Sequence, residues 1–211
     1  MTLQEVKALA AKGEGLKIEF KKKAAFPEKI VREVIAFANT EGGDLLIGVD
    51  DDGTVSGQRY IEEEIFVMEK AIRELIFPAL AVEVFSVKLS EKKGVAVFRV
   101  GKSPDRPHYL LETNRKQAFV RVQDRSIQAS REVWEVLRKG RIPRDTIFTY
   151  GWKEEILIKA VGESGRITLR EFSKLAKIPH FLASKTLIRL VTANVLVIHP
   201  QESEDYFTVK E

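Results

Sequence analysis

The sequence predicts an α+β protein in two parts, and three observations lead there. Short alternating apolar runs are interspersed with helical apolar spacings through the first two thirds of the chain. Past "GRIPRDTIFTYG", a stretch holding proline, glycine and arginine, the pattern turns helical and ends in two strand-like segments. The length, 211 residues, suits one domain of about 150 residues plus a small second one. Domains are therefore expected at 1–145 and 146–211.

Each element has a local cause. Thr2 and Glu5 form a capping box that opens a first helix, and Gly13 ends it. Leu16, Ile18 and Phe20 alternate with Lys17, Glu19 and Lys21, the period of a half-buried strand. Pro27 starts a helix whose Ile30, Val31, Val34, Ile35 and Ala38 share one face. Gly42 and Gly43 stop it with positive φ, and "DLLIGV" reads as a buried central strand. "DDDG" is a turn, with a short return strand at Val55 to Gly57. Ile61, Ile65, Met68, Ile72 and Leu75 mark a long helix before Pro78. "LAVEVFSVKL" and "GVAVFRV" form a hairpin, and "HYLL" and "AFVRVQ" are two further strands. Ser130 caps a helix through "REVWEVLRKG".

The second part is more distinctive. Glu154 to Val161 is a short helix, and Thr168 with Glu171 makes another capping box. "KIP" turns the chain into "HFLASKTLIRLVTAN", and Asn194 stands where a left-handed residue is needed. "VLVIHP" and "DYFTVK" close as a hairpin. Helix, helix–turn–helix and hairpin is the order of a winged helix. On its second helix His180, Ser184, Lys185 and Arg189 are expected to face a nucleic acid, lysine and arginine meeting phosphates or guanine edges.

The charge is +4, and the pI of about 9.2 permits a nucleic-acid partner without requiring one. The absence of cysteine removes disulfides and thiolate metal sites and fits a reducing cytoplasm, the expected compartment. No run is apolar enough to span a bilayer, so no membrane partner is expected. No phosphate loop for ATP is present, and His108, His180 and His199 lack zinc spacing. Two features remain for the first part. Glu14, Glu19, Asp50 and Asp51 end two strands and suit a divalent cation if the sheet brings them together; otherwise Glu19 pairs with neighbouring lysines and the aspartates form a polar turn. Lys17, Lys21, Lys22 and Lys23, with Arg115, Lys116, Arg121 and Arg125, form either a phosphate-contacting surface or solvated edges.

The segments "EGLKIEFK", "IAFANTEGGDLLIGVDDDGTVSG", "RPHYL" and "AFVRVQDRSIQAS" closely resemble the Schlafen/AlbA_2-type DNA-binding domain over about residues 10 to 140. The resemblance implies a mixed sheet with helices on its faces. Bacterial members commonly join this domain to a winged helix and are described as transcriptional regulators. Animal relatives include metal-dependent endoribonucleases, whose three acids match Glu14, Glu19 and Asp51 here and imply Mg²⁺ or Mn²⁺. Those nucleases clamp folded RNA between two lobes; this chain carries one, which a homodimer would complement. A DNA-binding regulator is the leading expectation. A metal-dependent endoribonuclease acting on structured RNA such as tRNA is the second, and a protein-interaction adaptor the third.

Overall fold

The computed structural model describes residues 1–112, 114–140 and 150–210. The chain divides into Met1–Gln128 and Ala129–Glu211. The expected boundary at 145/146 lies outside the described residues.

In the first unit, α1 (Leu3–Ala10) begins at the Thr2 capping box. Strands β1 (Ile18–Lys21), β2 (Gly43–Ile47), β3 (Gln58–Arg59), β5 (Glu83–Lys88) and β6 (Lys93–Val100) make one mixed sheet, with β4 (Ile76–Phe77) belonging elsewhere. β1 runs parallel to β2, pairing Ile18 with Asp44 and Glu19 with Leu45. The parallel pair needs a crossover, and α2 (Pro27–Asn39) supplies it. β2 and β3 lie end to end along one edge of β6, while β5 holds the other. The expected return strand at Val55 to Gly57 is replaced by β3, which pairs with β6 and not with β2.

Both faces of this sheet are covered. Leu45, Ile47, Ala96 and Phe98 pack under α2 and α3 (Ile61–Leu75). Ile18, Phe20, Leu46 and Val97 pack under α1, with Val6 and Ala10. Tyr60 leads into α3 from the left-handed region, φ 55° and ψ 47°, at a cost of about 1–2 kcal/mol. Two small sheets follow, β4–β7–β8 with β7 (Tyr109–Glu112) and β8 (Arg115–Gln117), and the hairpin of β9 (Phe119–Val122) and β10 (Arg125–Gln128). β8 and β10 are additions to the sequence reading. β9 lies against α2.

The second unit contains α4 (Arg131–Lys139), α5 (Trp152–Ser164), β11 (Ile167–Thr168), α6 (Leu169–Leu175), α7 (His180–Thr192), β12 (Leu196–His199) and β13 (Tyr206–Val209). Ser130 caps α4 and the Thr168–Glu171 box caps α6, as their spacing predicts. Asn194 takes φ 64° after α7. The strands form a three-stranded sheet in the order β11–β13–β12. Its core gathers Leu157, Val161, Phe172, Leu187, Leu190 and Phe207. Among the described residues no helix is long and apolar enough to cross a membrane.

Candidate nucleic-acid interface

The acids of "GEGLKIEFKKK" are explained by the position of β1 at the margin of its sheet. The carbonyls of Lys17 and Lys21 accept from Asp44 and Gly48 at 2.9 and 2.8 Å, so Ile18 and Phe20 turn their polar backbone groups the other way. Glu14 Oε1 accepts the Phe20 N–H at 2.9 Å. The Ile18 carbonyl accepts from Gly15 N–H at 3.0 Å and from the Arg121 guanidinium at 3.3 Å. An acid and an arginine thereby satisfy the open side of the strand.

Glu19 shares a sheet face with Leu45 and is buried under α2 and β9, only 7% exposed. The alternation of residues 16 to 21 predicts it outward; the helix and hairpin cover that face as well, so it must be paired. Lys21 Nζ donates to Oε1, and Arg121 donates to Oε2 at 2.6 Å. Arg121 has a 1% exposed side chain and also reaches Glu33 Oε2 at 2.7 Å, Ser126 Oγ at 3.2 Å and the Gly15 carbonyl at 2.9 Å. Its guanidinium carbon lies 5.1 Å from the Phe37 ring centroid. Ser126 Oγ donates to Glu33. Burial, and then the nearby charge of Glu19, pushes the Glu33 carboxyl above its ordinary value.

This arrangement does not fit a divalent cation held by Glu14, Glu19 and Asp51. One Glu14 oxygen caps a backbone N–H, and both Glu19 oxygens already face cations. Asp51 is exposed in the turn after β2. Among the described residues no three acidic or histidine side chains gather as metal ligands. No reaction step through a metal is derived from these residues.

The expected nucleic-acid contacts separate in the same way. Lys17 and Lys23 are exposed, while Lys22 is exposed and stands 3.1 Å from Asp50. Lys21 is half-buried on Glu19, and Arg121 is removed from any surface by its ion pairs. Arg125 is exposed. In the second unit Lys185 and His180 are exposed on α7, beside Phe181. Ser184 is buried and donates to Glu132 of α4, which packs on that side of α7. Arg189 pairs with Glu154 of α5, itself 1% exposed. The reading that turned Ser184 and Arg189 outward is corrected by these two helices, which the heptad-like spacing of α7 alone does not reveal.

Asn39 makes a second buried polar bridge. Its side chain holds distant backbone, donating to the carbonyls of His108 and Phe119 at 2.9 Å each and accepting His108 N–H at 2.7 Å. His108 is fully buried, with Nε2 2.7 Å from Ser103 Oγ. Glu33 and Ser126 escaped the sequence reading too. The available signal was Glu33 interrupting the apolar stripe Ile30, Val34, Phe37, and Arg121 sharing a strand face with Phe119.

Comparison with known proteins gives three findings. No curated protein matches the chain. The N-terminal domain of a protein described as related to the ATP-dependent DNA helicase RecG, from Nitrosomonas europaea, is 20% identical with a TM-score of 0.45, covering 69% of this chain and 98% of that one. The DIP2311 protein from Corynebacterium diphtheriae is 20% identical with a TM-score of 0.49, covering 90% of this chain and 36% of that one. The Schlafen, AlbA_2 family matches residues 14–130, which include the strand edge, the Asn39 bridge and the Arg121 ion pairs. With more than half of its length matched, the chain belongs to the Schlafen AlbA_2 family.

Proposed function

We propose that the protein binds nucleic acid and acts as a DNA-binding transcriptional regulator. Its second unit serves as a winged helix, with α6 and α7 as the helix–turn–helix and β12–β13 as the wing. The observation that carries this reading is the element order α5–β11–α6–α7–β12–β13 together with Lys185 and His180 exposed on the first turns of α7. Ser184 and Arg189 hold α7 to α4 and α5, which leaves its N-terminal turns to meet DNA. Membership of the AlbA_2 family supports a nucleic-acid role for the first unit, where Lys17, Lys22 and Lys23 offer phosphate contacts. Winged helices read paired half-sites, so a homodimer is the proposed form on DNA.

A mobility-shift series on pooled duplex DNA tests the reading. Binding at low salt is expected, with Lys185→Ala weakening it about three- to tenfold by removing one phosphate contact. Complexes of two chains per duplex are expected from light scattering. An absence of any shift at low salt would overturn the assignment, and a one-to-one complex would overturn the dimer.

A further inference from the structure

A cleft of about 620 Å³ opens in the first unit where β3 ends, α3 begins and the β5–β6 hairpin turns. Arg59, Lys88, Lys92 and Lys93 line it, against two carboxylates, Glu62 and Glu91. It is therefore cationic on balance and of a size for a small ligand or a segment of a chain. The hydroxyls of Ser86 and Ser90 add hydrogen-bonding groups, although Ser86 Oγ already lies 3.5 Å from Glu62 Oε1.

Tyr60 stands at the rim and gives the cleft its character. The residue is 72% exposed, yet its backbone is held in the left-handed region, and its side chain makes no capping bond to α3. A bulky residue in that conformation normally recovers its cost through packing or hydrogen bonding. For Tyr60 the recovery is confined to its carbonyl, which accepts Glu63 N–H at 2.9 Å, and an exposed aromatic side chain beside several cations is the arrangement that stacks an unpaired base while cations hold its phosphate. A duplex has no free base face to offer. The start of α3 adds little attraction for phosphate, because Glu62, Glu63 and Glu64 occupy its first turn. The four basic side chains must supply it.

We propose that this cleft binds a nucleotide unit of single-stranded nucleic acid, with Arg59, Lys88, Lys92 and Lys93 on the phosphates and a base stacked on Tyr60, resting on the nucleic-acid function proposed above. It gives the first unit a ligand distinct from the duplex assigned to the second. A free mononucleotide offers the same chemistry as one unit of a strand.

Fluorescence anisotropy on the full chain separates the outcomes, with a labelled single strand and the duplex of the same sequence as probes. Tyr60→Gly relieves the left-handed backbone, so the variant is expected to fold with an unchanged or higher Tm. It is expected to bind the single strand about tenfold more weakly, and the duplex as before. Tyr60→Trp is expected to keep strand affinity, and Tyr60→Leu to lose it. Lys88→Ala with Lys92→Ala is expected to reduce the salt slope of strand binding by about 1.4, two phosphate contacts fewer. Displacement of the strand by a mononucleotide assigns a single-nucleotide site; Tyr60-dependent binding without displacement assigns a strand site. Unchanged strand affinity in Tyr60→Gly, or equal affinity in the Trp and Leu variants, overturns the proposal. Duplex binding without strand binding overturns it and leaves the winged-helix reading standing. Tyr60-dependent strand binding with no duplex binding does the reverse.

Discussion

Arg121 meets a buried carboxylate, Glu19, and a half-buried one, Glu33, with a side chain 1% exposed. Removing it leaves both without their main partner, so Arg121→Met is expected to destabilise the protein by roughly 3–5 kcal/mol, read from urea unfolding. Adding Glu33→Gln recovers part of the loss, because one stranded charge disappears. Glu33 also carries a pH signature. Its folded pKa lies above the ordinary 4.5, raised first by burial and then by Glu19. Between those values the native state binds more protons than the unfolded one, so stability falls as pH rises from 4.5 through the folded value. In Glu33→Gln that decline is expected to flatten in a Tm series against pH, and an unchanged slope would contradict the assignment. This network was only partly legible in the sequence. Glu19 and Arg121 were visible as charges, but alternation assigned Glu19 to solvent. Only the packing over that face of α2 and of β9, the latter 102 positions away at Arg121, shows that it is buried.

At the scale of elements, spacing was a good guide wherever one stretch carries its own signal. The capping boxes at Thr2 and Thr168, the helix of Ile61 to Leu75 and the hairpin of β5 and β6 follow directly from local pattern. Contacts between elements were not legible in the same way: β3 joins β6, and α4 covers Ser184 on α7. The glycine pair after α2 divides its work. Gly42 takes φ 74°, whereas Gly43 is there for space. A Cβ on Gly43 would sit 2.4 Å from the Phe37 ring and 2.9 Å from the Lys17 carbonyl. Gly43→Ala is thus expected to cost about 1–3 kcal/mol through overpacking, measured by chemical denaturation. Gly101→Ala meets nothing within 4 Å and serves as its control.

For the whole molecule, a charge of +4 spread over 211 residues leaves modest room for phosphate contacts. Several cations are already held by acids, among them Lys21, Lys102, Arg99 and Arg121. If about four of the exposed basic groups meet phosphates, the logarithm of duplex affinity is expected to fall with the logarithm of salt at a slope near −3.6. A titration series from low to physiological salt checks this, and a slope near zero would point to a partner other than nucleic acid. Composition bounded this behaviour from the start; it could not say which cations are spent inside the fold.

The joining of Glu19 to Arg121 also sets a timetable. The two are 102 positions apart, and Asn39 reaches 69 and 80 positions onward to His108 and Phe119. On a ribosome adding about 5–20 residues per second, the first strand waits roughly 5–20 s for the arginine that neutralises it. Until β9 has emerged, Glu19 has only Lys21 beside it where the interior of the first unit is to form, and that unit completes itself only when nearly all of it has been made.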